Sequence, residues 1–96
     1  MREIILDGKE LVDIQRTHLV LKELFNFPDY YGKNLDAFWD CITDYAIGCC
    51  QEESEKIIWK DFDVSKHNLG EYANTLLGLF REASEKYGGF TIKSIP

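Results

Sequence analysis

Residues 30–41 read YYGKNLDAFWDC, a turn followed by a helix whose two sides differ sharply in chemistry. Upstream, Pro28 cannot continue a helix and biases Phe27 towards extended geometry. Gly32 allows a positive φ in the turn, and Asn34 suits the N-cap of a helix opening near residue 35. At roughly 100° per residue, Leu35, Phe38, Ile42 and Tyr45 gather on one side of that helix. Asp36, Asp40 and Thr43 gather on the opposite side, with Trp39 at the border. The first side is expected to face a core and the second to face out.

Outward from this helix, the flanking segments alternate in type. REIIL (2–6) is an apolar run ended by Asp7-Gly8, a strand followed by a turn. Leu11, Ile14, His18, Leu21 and Phe25 recur at steps of three and four, which predicts a helix over roughly 13–25. Residues 46–55 (AIGCCQEESE) read as a polar loop, KIIW (56–59) as a second strand and DFDVSK as a short helical turn. Asn68 with Glu71 resembles a capping box opening a long helix. Tyr72, Leu76, Leu79, Phe80 and Ala83 keep helical spacing up to Lys86, before Gly88-Gly89. FTIKSI (90–95) is the last strand. Strands separated by helices imply parallel pairing, hence a small α/β domain.

Ninety-six residues, 45% of them hydrophobic and 14% aromatic, suffice for one domain over 1–96 with a single core and no stapling metal or disulfide. No apolar run approaches the ~18–20 residues of a membrane span. The opening MREIILDG is too poor in apolar residues for a secretory leader, so a cytoplasmic location is expected. Three cysteines make an odd set without metal or redox spacing. Cys41 is expected to be half-buried, and Cys49 and Cys50 to be free thiols.

The net charge of −6 is unevenly placed. Residues 29–55 hold seven acids (Asp29, Asp36, Asp40, Asp44, Glu52, Glu53, Glu55) against Lys33 alone, while the rest of the chain is neutral. Such a field repels nucleic acid and anionic membrane and attracts a basic protein or a cation. Like charges at i and i+4 also destabilise a helix, by ~0.2–0.5 kcal/mol, and Asp44 repeats the spacing. The dipole offsets part of this for Asp36 in the first turn and much less for Asp40. Tyr30, Tyr31 and Trp39 are costly to leave wet, although the core side is already supplied.

Three readings stay open on these residues alone: an acidic protein-binding face, a solvated helix face, and a catalytic or metal site. Paired carboxylates serve glycoside cleavage or hold Mg²⁺, but an exposed helix face lacks the cleft that raises one pKa and excludes water. His18 lies on the apolar side of the first helix, as a hydrogen-bonded core histidine would. His67 falls in a loop before a helix, in solvent.

The twelve-residue stretch Tyr30-Tyr31-Gly32-x-Asn34-Leu35-Asp36-Ala37-x-Trp39-Asp40-Cys41 resembles the signature of the barstar family of ribonuclease inhibitors. The opening strand and Asp7-Gly8 turn, LKEL (21–24), the Pro28 turn, Trp59-x-x-Phe62 and Phe80-Arg81-Glu82-Ala83 fall in matching order. The resemblance implies a three-stranded parallel sheet packed with three or four helices, and no catalytic residue, cofactor or metal. It also implies one-to-one inhibition of a basic, secreted ribonuclease of the barnase type. In that role Asp40 enters the pocket for an RNA phosphate, Asp36 pairs with basic groups beside it, and Tyr30 packs on the catalytic-histidine region. Tyr31, Gly32, Asn34, Leu35, Trp39 and Thr43 complete the contact. Tyr45 stands at the interface edge where the family has a larger aromatic, and Glu82 supplies a peripheral acid. The alternative is a barstar-like module that sequesters a different basic protein or toxin. When free, the chain is expected to be a monomer.

Overall fold

The computed structural model describes residues 2–49 and 55–96. Strand β1 (Arg2–Asp7) leads through a 3₁₀ turn (Gly8–Glu10) into α1 (Ile14–Phe25) and α2 (Leu35–Cys49). Strand β2 (Glu55–Lys60) is followed by α3 (Phe62–Leu69), α4 (Glu71–Tyr87) and β3 (Phe90–Ser94). The sheet has the order β1-β2-β3 with both pairings parallel, so each neighbouring pair is joined by a helical crossover. The expected α/β architecture is therefore present.

Strand alternation decides which face is covered. Ile4, Leu6, Ile57, Trp59 and Phe90 are buried, whereas Glu3, Ile5, Asp7, Lys60, Thr91 and Lys93 are exposed. All the helices therefore cover one face. Phe80 of α4 is the hub of the core: its ring centroid lies 5.0 Å from Phe38, 5.9 Å from Phe25, 6.2 Å from Trp59 and 6.3 Å from Phe90. One side chain thus ties α1, α2, β2 and β3 to α4.

The carboxyl ends of β1 and β2 are locked by a polar chain. The Trp59 indole N–H donates to Ser65 Oγ (3.0 Å), which donates to the Gly8 carbonyl (3.0 Å). Any β-carbon at Gly8 would collide with the Lys60 and Asp61 carbonyl oxygens. Buried polar groups are in this way satisfied where α3 docks.

Several sequence expectations are corrected. Residues 46–49 continue α2 instead of opening a loop, because Ala46 is fully buried and closely faced by Gly89. That packing overrides the ~1 kcal/mol helix penalty of Gly48. Residues 50–54, including Cys50 and the acids Glu52 and Glu53, lie outside the described residues, as does the Cys49 side chain. Asn68 is no cap of the long helix: it sits in α3, where its amide donates to the Leu11 carbonyl (3.4 Å). Gly70, at φ +64°, stands before α4 with no side-chain cap. His67 belongs to α3 as well, and is exposed there. The helix forms because Phe62 stacks edge-on against Trp59 (4.9 Å) while Ser65 is buried, which gives eight residues an inward side.

Candidate functional site

The site begins where α1 ends. Asn26 terminates that helix in the left-handed region, and its backbone N–H donates to the Lys22 carbonyl. The chain then turns at Pro28, whose carbonyl accepts from the Tyr31 N–H (3.0 Å). The two tyrosines that follow part company. Tyr30 is 87% exposed, whereas Tyr31 is 5% exposed with its ring 5.0 Å from Phe27.

Tyr31 is held from below. Its hydroxyl lies 2.6 Å from His18 Nδ1, and the Tyr72 hydroxyl lies 2.6 Å from His18 Nε2. A neutral imidazole donates through one nitrogen and accepts through the other, so both tyrosines can be satisfied at once. Burial lowers the pKa of His18 and raises those of Tyr31 and Tyr72, with the Cys41 and Tyr72 charges adding to the rise at Tyr31. All three groups are consequently neutral around pH 7. The core histidine read from the sequence is thus found, but its two tyrosine partners, one 54 residues away, carried no sequence signal.

The turn into α2 differs in one respect from expectation. Gly32 has no positive φ; Lys33 takes it, at +56°. Gly32 answers a spatial demand instead, since a β-carbon there would come within 3.3 Å of Ala37 Cβ and 3.4 Å of Asn34 Nδ2. Asn34 is the N-cap: its Oδ1 accepts from the Ala37 N–H (2.8 Å) and its carbonyl from the Phe38 N–H (2.9 Å). A left-handed lysine ahead of a capped helix is modest backbone strain next to the acidic pair, of the kind that gathers at binding sites.

On α2, Phe38 and Ile42 are wholly buried while Asp36, Asp40 and Asp44 are exposed. One turn apart, neighbouring aspartates have Cβ atoms about 5–6 Å from each other. Among the described residues none of the three forms an ion pair, whereas Asp29 pairs with Lys22 (3.6 Å). Thr43 departs from its expected outward position: it is 9% exposed, and its hydroxyl donates to the Asp40 carbonyl (2.9 Å). Tyr45 is half-buried, edge-on to Phe25 at 5.0 Å, and donates its hydroxyl to Glu55. The side chains of Tyr31, Thr43 and Tyr45 thus support the face from within.

Two hollows flank the acidic pair. Asp36, Leu35 and Trp39 share one with Thr75, Leu79 and Glu82 of α4, which brings Glu82 to the same surface from 43 positions along the chain. On the far side, Asp40 and Asp44 line a second hollow of about 580 Å³ with Tyr30, Pro28 and Tyr45. Cys41, a free and half-buried thiol beside it, has its pKa raised by burial and then by the Asp44 and Asp40 charges, so it is a poor nucleophile.

Among the described residues no three His, Cys, Asp or Glu side chains converge as metal ligands. No described helix is long and apolar enough to cross a membrane. The site therefore offers a firm, capped helix with three exposed aspartates, none ion-paired among the described residues, together with an exposed tyrosine and a half-buried tryptophan.

Known proteins match the chain over nearly its whole length. A family described as "Barstar (barnase inhibitor)" matches residues 1–94. A Bacillus subtilis (strain 168) protein named "Putative ribonuclease inhibitor YrdF" is 41% identical over 86 residues, spanning 90% of this chain and 89% of the relative. With nearly its whole length matched, this chain belongs to the barstar family, a family of inhibitors.

Proposed function

We propose that the chain inhibits a basic, barnase-type ribonuclease one-to-one in the cytoplasm, by placing α2 and the loop before it in the nuclease active site. The observation that carries this reading is the pair Asp36 and Asp40, exposed one turn apart and without an ion pair among the described residues. A carboxylate is a fixed anion that can imitate a phosphate, and an arginine fork binds either one bidentately. Asp40 meets the arginines and histidine of the phosphate pocket, and Asp36 the basic groups beside it. Tyr30 packs on the catalytic-histidine region, while Gly32, Asn34, Leu35 and Trp39 fill the remaining contact. Glu82 adds a peripheral attraction. The i,i+4 repulsion that the free helix tolerates is relieved when a cationic cleft closes over it.

The test is RNA cleavage by barnase-type nucleases in the presence of the folded chain at about 1 µM. Full protection at one equivalent is expected. Undiminished cleavage by every such enzyme, together with capture of a basic protein lacking nuclease activity, would transfer the same face to a different partner.

A further inference from the structure

Among the described residues, no element covers the sheet face turned away from the helices. Parallel sheets are nearly always covered on both sides, and here one side carries Glu3, Ile5 and Asp7 of β1, Lys56, Ile58 and Lys60 of β2, and Thr91 and Lys93 of β3. Ile5 is 45% exposed and Ile58 half-buried. The pairing sets Glu3 beside Lys56, Ile5 beside Ile58 and Asp7 beside Lys60. Strand β1 therefore shows an acid–isoleucine–acid row, and β2 shows a base–isoleucine–base row at the same three heights.

These rows are self-complementary. A second copy, turned by 180° about an axis parallel to the strands and midway between β1 and β2, keeps its strand direction. Each β1 then lies over the β2 of the other copy. Glu3 meets Lys56, Ile5 meets Ile58 and Asp7 meets Lys60 across the interface, each contact made twice, as a closed two-fold dimer requires. Lys93, level with Ile58, overhangs the groove beyond β1, where Ile5, Val20 and Leu24 are rimmed by Asp7, Glu10, Glu23 and Arg16. With two acids set among three lysines, the face offers little to a nucleic acid or an anionic membrane.

We infer that this open sheet face is a docking surface for a second copy of the chain, stacked face to face at the ~10 Å spacing of packed sheets. Three strands of five or six residues fall short of the ~800 Å² per partner of a standard interface. The net charge of −6 opposes association as well. The dimer is accordingly weak, with a Kd of about 10–100 µM, and dilute chain is monomeric. The acidic pair projects from the helical layer on the other side of the sheet, so each copy keeps its binding site free.

Sedimentation equilibrium from about 1 µM to about 1 mM tests this. The mass should climb from 11.2 kDa towards twice that value. Ile5→Lys should hold the mass at 11.2 kDa throughout with an unchanged circular dichroism spectrum. Two charge-swapped variants, Glu3→Lys/Asp7→Lys and Lys56→Glu/Lys60→Glu, should each be monomeric alone and should dimerise when mixed. A parent that stays monomeric at about 1 mM, an Ile5→Lys variant that dimerises like the parent, or folded swapped variants that ignore each other would overturn the inference. If the swapped variants do not fold, the parent and Ile5→Lys decide the matter.

Discussion

Asp40 is positioned for binding at a cost to the free helix. It lacks the N-terminal dipole that favours Asp36, and it stands between Asp36 and Asp44, both exposed on the same helix. Asp40→Ala should therefore keep or raise the melting temperature, by about 2–5 °C. The same change should weaken nuclease binding by about 150- to 5,000-fold, the 3–5 kcal/mol of an ion pair broken inside a dry interface. Calorimetry and inhibition assays on one sample separate the two effects, and equal binding by parent and variant would misplace the interface. His18 sits under the same loop and makes a different prediction. Burial lowers its pKa below the 6.5 of an unfolded histidine. Its contribution to stability is thus complete above about pH 6.5 and is lost as the pH falls through 6.5 towards the lowered value, because the unfolded chain takes up the proton first. Urea denaturation between pH 7 and 5 should show this loss, and His18→Gln should flatten it.

At the scale of elements, α2 is held at both ends by contacts remote in sequence. Its start is capped by Asn34 and steadied through Tyr31 by His18 of α1 and Tyr72 of α4. Its end rests on Gly89, at φ +82°, where a β-carbon would run into the Ala46 carbonyl. Gly89→Ala should lower the unfolding free energy by about 2–4 kcal/mol through that clash and the left-handed strain. Asp36 and Asp40 lie nearer the opposite end, so the folded fraction should inhibit within about tenfold of the parent, a difference below ~1.4 kcal/mol. A stable Gly89→Ala protein would show that the last turn of α2 yields readily. These contacts also explain why sequence boundaries slipped here: glycine at 48 argued for a loop, and only Ala46 packing on Gly89 argued for helix.

For the whole molecule, charge placement matters more than charge total. Residues 29–55 account for all of the −6, and Asp36 of α2 shares a hollow with Glu82 of α4. Such a field draws a cationic partner from beyond contact distance, and salt screens it over about 10 Å at 0.1 M. The association rate with a basic nuclease should fall steeply with ionic strength while the dissociation rate changes little, measurable by stopped-flow fluorescence of Trp39. A salt-independent association rate would contradict electrostatic steering by this face. The side of the sheet turned away from the helices, with its rows of mixed sign, adds nothing to that field.

What the chain determines locally was open to reading from its order alone. Short apolar runs beside turn signals marked the strands, spacing marked the apolar sides of α1, α2 and α4, and residues 30–41 marked Asp36 and Asp40 as outward. These features depend on neighbours within a turn or two. Tertiary structure alone decided the rest: that Tyr31 and Thr43 turn inward, that His18 reaches Tyr72, that Lys33 takes the left-handed turn in place of Gly32, and that Asn68 belongs to α3. Each outcome rests on a partner tens of residues away or on space left by packing, and no local pattern encodes either.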